Sequence, residues 1–232
     1  MVSKTTERLK PDFNRLYTYA NTILATSSVI TGFPFKVGKL IKEQSDITLC
    51  SYDRAMGFGV DICQFGSESA VLVEMNGAHI IFYNDREVVY RVRFSILHEY
   101  AHYILDHKRN LSPNDPLYQK QEVEANCFAA QLLMPEQLIR ACSSRGKKIT
   151  ERFIIETFYV SPEAAYKRMK TLATSISEWR SRQEREYDDI ILERHTGFLN
   201  SVAPIDYGVY DIEDEFDREK ERASWLDTRH YR

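Results

Sequence analysis

The sequence has few cysteines, no long apolar run and no excess of basic charge. Its 232 residues include four cysteines, and none of them forms a Cys-x-x-Cys pair. That number is low for a secreted disulfide scaffold, so we expect reduced thiols and a cytoplasmic protein. The formal net charge of -3 provides no overall positive field that would attract nucleic acid.

Two further absences concern export and membranes. The polar N-terminal segment 1–10 lacks the apolar core of a signal peptide, so none is expected. No run of about 18 apolar residues is present, so the sequence predicts no membrane-spanning helix. The hydrophobic content of 43% is ordinary for a globular protein, and a chain of this length can bury one sizeable core.

The most informative stretch is 94–105, which contains His-Glu-x-x-His. Apolar residues recur around it at helical spacing, which predicts a buried helix. His98 and His102 then lie on nearly the same helix face and can hold one metal ion. Glu99 is rotated by about 100° and can reach a water on that ion.

Zinc is the metal expected at such a motif, because it suits neutral imidazoles and demands little of the geometry. It lowers the pKa of bound water toward about 7, and a neighbouring carboxylate can pass the proton to a leaving amine. The motif therefore favours peptide hydrolysis. The alternative is a pair of core histidines with ordinary hydrogen-bond partners.

A third metal ligand is expected from the second strong helix. Glu122 and Asn126 lie four residues apart on one face, and Asn126 can hydrogen-bond to a metal-bound histidine. Glu124 is the competing ligand and points about 200° away. Glu122 is favoured because its face continues into a buried stripe through Ala129 and Leu133. For either glutamate the alternative is a solvated helix charge.

Periodicity and turn signals outline the rest of the chain. They predict helices over 12–31 and 36–43, strands over 47–52, 57–65, 70–76 and 78–84, and helices over 117–134 and 136–142. Asn76-Gly77 predicts a hairpin turn. Segment 147–173 predicts two helices around a tight turn, as in a helix-turn-helix unit. An exposed helix over 175–195, a solvated His195 and an acidic tail over 206–221 are expected at the end.

Two motifs together resemble the ImmA/IrrE family of metallopeptidases. One is the segment from Arg93 to His102 with its His-Glu-x-x-His. The other runs from Glu122 to Pro135 and reads Glu-x-Glu-Ala-Asn-x-Phe-Ala-Ala-x-Leu-Leu-Met-Pro. The resemblance covers roughly residues 45–173.

The resemblance implies a gluzincin-like peptidase core. His98, His102 and Glu122 would bind one catalytic zinc ion, and Glu99 would be the base. It also implies a cytoplasmic bacterial or phage protein that cuts or inactivates a helix-turn-helix repressor. Such an antirepressor derepresses mobile-element or stress genes.

The sequence departs from the family pattern one turn after the motif. Many relatives have a further histidine there, whereas this chain has Asp106, with His107 beside it. Asp106 can orient His102 as a hydrogen-bond acceptor. Alternatively, Asp106 and His107 are polar residues at a helix end. Asp106 and Asn126 are therefore the two candidates for supporting the ligands.

These observations predict a mainly helical α+β fold. We expect a zincin-like metallopeptidase domain with a small β-sheet over 1–145, a helix-turn-helix-like unit over 146–174, and a charged helix with an acidic tail over 175–232. The protein substrate is expected to lie in extended form beside the strand over 78–84.

The sequence leaves two other functions open. One is an antirepressor that binds zinc and its partner but cuts nothing. The other is a DNA-binding regulator acting through 147–173, where six basic and three acidic side chains leave a net charge of about +3. The six basic residues are Lys147, Lys148, Arg152, Lys167, Arg168 and Lys170. The acidic tail opposes DNA binding.

Overall fold

The structure is a computed structural model and describes residues 9–174 and 182–205. Within these ranges the chain forms ten α-helices, one 3₁₀ helix and three β-strands. The predicted mainly helical α+β fold is confirmed. The predicted acidic tail over 206–221 lies outside the described residues.

The first half of the chain carries the sheet. Its elements are α1 (Phe13–Thr26), α2 (Val37–Gln44), β1 (Thr48–Ser51), α3 (Tyr52–Gly57), a 3₁₀ helix (Ile62–Phe65), β2 (Ala70–Met75) and β3 (Ala78–Tyr83). Asp12 caps α1, since its side chain accepts from the Arg15 N–H. The helix ends at Thr26, earlier than predicted, because Ser27 turns to an extended backbone.

The predicted strand over 57–65 is wrong. Local caps form short helices here instead: the Ser51 side chain accepts from the Arg54 N–H, and the Asp61 side chain accepts from the Cys63 N–H. The φ angle of Gly66 is 64°, a left-handed conformation that ends the second of these turns. Apolar content alone therefore did not decide the backbone conformation.

The predicted hairpin is confirmed. Asn76 and Gly77 have φ angles of 52° and 78°, as a type I′ turn requires. β2 and β3 pair antiparallel, whereas β1 pairs with β3 in parallel. The strand order is β1-β3-β2, so β3 lies in the middle and is hydrogen-bonded on both edges. The predicted substrate position beside the strand over 78–84 is therefore wrong, because β1 and β2 occupy both edges of that strand over residues 80–83.

The second half is helical. Its elements are α4 (Val89–Ile104), α5 (Pro116–Leu133), α6 (Glu136–Ser144), α7 (Glu151–Phe158), α8 (Pro162–Thr174), α9 (Arg182–Arg194) and α10 (Thr196–Val202). The sheet packs on α4, α4 packs on α5, and α1 packs on α5 as well. The rings of Tyr100 and Phe128 meet between α4 and α5 with centroids 6.1 Å apart. The two helices that carry both motifs thus lie at the centre of the molecule.

The last helices join the same core. Ile154 and Phe158 of α7 and Ala165 of α8 belong to one buried cluster with Leu97 of α4. The helix over 175–195 was predicted to be exposed, but α9 packs on α1, and Ile191 is fully buried. His195, which was expected to be solvated, is also fully buried. No helix within the described ranges has the length and apolar character needed to cross a membrane.

Candidate metal centre

The two histidines of the motif helix meet a glutamate from the next helix. The Nε2 atoms of His98 and His102 are 3.1 Å apart on successive turns of α4. α5 brings Glu122 to the same place, with Oε2 at 3.4 Å from His98 Nε2 and Oε1 at 3.5 Å from His102 Nε2. Among the described residues, these three side chains are the one His, Cys, Asp or Glu group that can hold a metal ion.

The donor atoms of this group fit an ion of the size of zinc. Two ligand atoms of a tetrahedral zinc site with bonds of about 2.0–2.1 Å lie roughly 3.3–3.4 Å apart. The three separations here are 3.1, 3.4 and 3.5 Å. Two imidazoles and one carboxylate are also a donor set found in catalytic zinc sites. The three side chains can therefore bind a divalent metal ion.

The Glu122 carboxylate also suits a cation. Burial of Glu122 opposes its ionisation, but its interactions with His102 and His98 outweigh burial and lower its pKa. Burial likewise disfavours the charged form of His98, yet hydrogen bonding to Glu122 and the charge of Glu99 leave its pKa raised. Glu122 thus stays a carboxylate and offers a negative charge to an ion.

Asn126 lies behind His98. The Oδ1 atom of Asn126 is 3.2 Å from His98 Nδ1. An amide oxygen can only accept, so this contact places the proton of His98 on Nδ1 and leaves the Nε2 lone pair facing the cluster. This is the contact that the sequence predicted for Asn126.

Asp106 does not take up its predicted position beside His102. It is exposed and has a left-handed backbone with φ 50° at the end of α4. The Asp106 N–H donates to the Tyr103 carbonyl at 3.1 Å, and the His107 N–H donates to the His102 carbonyl at 3.0 Å. This pair of bonds is the Schellman motif, which folds the chain back over the last turn of the helix.

His107 occupies the place that was predicted for Asp106. Its Nδ1 lies 3.0 Å from His102 Nδ1. Its Nε2 lies 3.2 Å from Glu124 Oε2, and the two side chains are only 5% and 8% exposed. Burial and the neighbouring His102 lower the pKa of His107 to about 3. Glu124 therefore lies behind the cluster and is not one of its three donors.

Glu99 lies beside the cluster and contacts the edge strand of the sheet. The Leu72 N–H of β2 donates to Glu99 Oε2 at 2.9 Å. Burial raises the pKa of Glu99, an effect that His98 and His102 partly offset. A carboxylate with a raised pKa is better matched to accepting and returning a proton near neutral pH.

Tyr100, Tyr103 and Tyr118 lie on the two helices that carry the cluster. Tyr118 lies one turn before Glu122 on α5, and burial together with the interaction with Glu122 raises its pKa. Tyr100 is buried in the core, and Tyr103 packs edge-on against His79 with ring centroids 4.9 Å apart. Tyr118 therefore interacts with a metal-ligand candidate.

Sequence reasoning missed the contact of Leu72 with Glu99 and the contact of His107 with His102. The Leu72 contact involves a main-chain N–H, which leaves no trace in the residue type. A signal for His107 did exist, because aspartate tolerates a left-handed backbone and a Schellman turn at Asp106 would bring the next residue over His102. An aspartate at the end of a helix can therefore indicate that the following residue folds back onto the last turn.

A helix-borne His-Glu-x-x-His joined by a glutamate from the following helix defines a metallopeptidase-like site. The model of the peptidase M78 family, described as the IrrE N-terminal-like domain, matches residues 55–170. The chain belongs to this family, which confirms the resemblance seen in the sequence. The match includes α4 to α7, whereas α1 and α2 lie before it. A comparison with curated proteins finds no match.

Proposed function

We propose that the protein is a cytoplasmic zinc-dependent endopeptidase that hydrolyses a helix-turn-helix repressor, as an ImmA/IrrE-like antirepressor of mobile-element or stress genes. The observation that carries this proposal is the convergence of His98, His102 and Glu122 at 3.1–3.5 Å. Membership of the peptidase M78 family supports a protein substrate.

The residues around the cluster have distinct roles in this proposal. His98, His102 and Glu122 would hold the zinc ion, which when bound supplies Lewis acidity and acidifies water. The Leu72 N–H orients Glu99 through Oε2, so we assign proton transfer to Oε1. Glu99 takes a proton from the attacking water and delivers it to the leaving amine.

The substrate is proposed to lie along β2. The Leu72 N–H points toward Glu99 and away from β3, so this edge of β2 borders the cluster. An extended peptide can add to such an edge through main-chain hydrogen bonds. A position beside β2 brings the scissile bond next to Glu99.

The proposal includes a division into units. Residues 1–145 would form the metallopeptidase domain, and residues 146–174 would form a helix-turn-helix-like unit. Because the buried residues of α7 and α8 lie in the common core, this unit acts as an extension packed on the peptidase.

Direct DNA binding by this unit has less support than its sequence charge implied. Arg168 is 3% exposed and donates to the Met134 carbonyl inside the protein. Lys167 pairs with Glu163, and Arg152 pairs with Glu156. Half of the six basic side chains are thus engaged within the protein, which weakens any field that would attract phosphates.

The test uses the helix-turn-helix repressor encoded by a neighbouring gene. The repressor is incubated with zinc-loaded wild type and with zinc-loaded Glu99→Gln, and the products are identified by mass spectrometry. Glu99→Gln should keep its zinc, because it leaves the three ligands in place. It should lower hydrolysis by about 10²- to 10⁴-fold, because an amide cannot carry the proton.

Each other outcome has a definite meaning. Cleavage by zinc-loaded Glu99→Gln at the wild-type rate refutes the role of Glu99. An intact repressor that is released from its DNA equally well by both proteins identifies an antirepressor that acts by binding alone. A wild type that takes up no stoichiometric metal refutes the peptidase proposal as a whole.

A further inference from the structure

We propose that His107 and Glu124 form a chain of side-chain contacts that holds His102 in the orientation and tautomer required for metal binding. The inference rests on the proposed metal site and deepens it. Both residues are positioning residues, since they act on the metal through His102. From the sequence, Asp106 was the residue expected to orient His102, and Glu124 was considered as a metal ligand.

The backbone after α4 explains why His107 reaches His102. In a Schellman motif, the second residue beyond the helix cap lies over the residue at the start of the last turn. Here these residues are His107 and His102. Asp106, between the cap residue Leu105 and His107, has the left-handed backbone. The side-chain amide of Gln121 on α5 lies against this turn, and with its oxygen and nitrogen exchanged it pairs with the N–H and the carbonyl of Lys108.

The proton positions follow from one end of the chain to the other. A metal-binding His102 presents the Nε2 lone pair, so its proton is on Nδ1 and needs an acceptor. His107 Nδ1 is that acceptor at 3.0 Å. His107 then carries its own proton on Nε2, which lies 3.2 Å from Glu124 Oε2 without the geometry of a hydrogen bond. The negative charge of Glu124 beside Nε2 favours this tautomer of His107.

Glu124 can complete this chain through Oε2 because its other oxygen, Oε1, contacts different residues. Oε1 accepts from the Asp12 N–H at the start of α1 and lies 3.6 Å from Lys120 Nζ. These contacts compensate the charge of a carboxylate that is buried at 6% exposure. Asp12 and α1 lie outside the residues that match the family, so the N-terminal helix contributes to the metal site in this chain.

The test measures zinc affinity, which needs neither substrate nor catalysis. Zinc binding by the full-length protein is measured by competition with a chromophoric chelator. His107→Leu removes the hydrogen bond to His102 and the contact with Glu124, and it is expected to weaken zinc binding by about 10- to 100-fold, as for other outer partners of ligand histidines. His107→Asn keeps an acceptor near the Nδ1 position and should recover part of that loss.

Asp106→Asn is the matched control. It changes the neighbouring residue, tolerates the left-handed backbone and leaves the chain from His102 to Glu124 intact. Its zinc affinity should equal that of wild type. The melting temperature of each metal-free variant shows that the fold is kept, so a loss of zinc affinity at an unchanged melting temperature is not a folding defect.

A second comparison separates a chain from two independent contacts. Glu124→Gln removes the negative charge beside His107 Nε2 and should weaken zinc binding less than His107→Leu does. In the double variant, Glu124→Gln should add nothing to His107→Leu, because the link between the two is already broken.

Three results would overturn the inference. The first is wild-type zinc affinity in His107→Leu, and the second is equal losses in His107→Leu and His107→Asn. The third is an additive effect in the double variant. These results leave the proposed function standing, because wild type still binds zinc. Absence of zinc binding in wild type would instead refute the proposed function and this inference together.

Discussion

Glu122 and Glu124 show how two residues of one type acquire different roles on one helix. Both lie on α5, but Glu122 faces the two motif histidines, whereas Glu124 faces His107 and the start of α1. The rotation of about 200° between them on a helix separates the two environments. The sequence favoured Glu122 as the ligand, and the geometry supports that choice.

The ligand assignment gives a prediction for Glu122→Ala. Because it removes one of three donor atoms, it should lower zinc affinity by more than the roughly 10- to 100-fold typical of an outer hydrogen-bond partner. The measurement is metal content by elemental analysis after gel filtration, together with chelator competition.

The control for this prediction is the adjacent Val123→Ala. Val123 is 42% exposed on α5, so this variant should bind zinc as wild type does. A Glu122→Ala protein that retained one tightly bound zinc ion would show that the third ligand lies elsewhere.

At the scale of elements, the connection from α1 to α2 depends on one carboxylate. Glu43 of α2 accepts from the Ser27 hydroxyl at 2.5 Å, from the Ser28 N–H at 2.8 Å and from the Ser28 hydroxyl. Burial acts against the charged form of Glu43, but these hydrogen bonds prevail and lower its pKa to about 2. The turn after α1 is therefore held by an ionised side chain.

This lowered pKa predicts a pH dependence for Glu43→Gln. A group with a lower pKa in the folded state stabilises the fold above its ordinary pKa of 4.5, and that contribution is lost as the pH falls toward about 2. Wild type should exceed Glu43→Gln in free energy of unfolding at pH 6, by at most about 1 kcal/mol because the site is exposed. The difference should shrink steadily below pH 4.5.

Urea denaturation at several pH values measures this difference. Lys42→Gln on the exposed side of the same helix serves as the control, and its difference from wild type should stay constant over that range. A Glu43→Gln difference that is equally large at pH 6 and pH 3 would contradict the role given to the carboxylate.

At the scale of the whole molecule, two buried arginines join the helix-turn-helix-like unit to the peptidase core. Arg93 of α4 donates to the Phe158 and Tyr159 carbonyls at the end of α7. Arg168 of α8 donates to the Met134 carbonyl at 2.9 Å and to the Gln131 side chain. The two units are therefore connected by hydrogen bonds to charged groups as well as by their common apolar core.

Arg168→Met tests this connection. The variant fills a similar volume but leaves the Met134 carbonyl and the Gln131 oxygen without their buried donor, so it should lower the free energy of unfolding by about 3 kcal/mol. Urea denaturation measures the loss. Lys170→Met, at an exposed position of the same helix, should stay within about 0.5 kcal/mol of wild type. Equal stability of the two variants would rule out the proposed role of Arg168.

Predictions from the sequence were most successful where the determinants are local in the chain. The hairpin at Asn76-Gly77 and the helix start at Asp12 depend on turn and capping chemistry written within a few residues. The strand predicted over 57–65 was wrong because the prediction used apolar content alone. Ser51 and Asp61 instead cap two short helices in this region. The packed face of α9 was missed because α9 meets α1 from a distant part of the chain.

The sequence alone determined the two helices that carry the motifs and the spacing that puts His98 and His102 on one face, because helical periodicity depends only on neighbours in the chain. Only the tertiary structure decided which strand offers its edge to Glu99 and which residue supports His102. It also decided that Arg168 and His195 are buried. These features depend on contacts between segments far apart in sequence, whose relative positions follow from the packing of the common core.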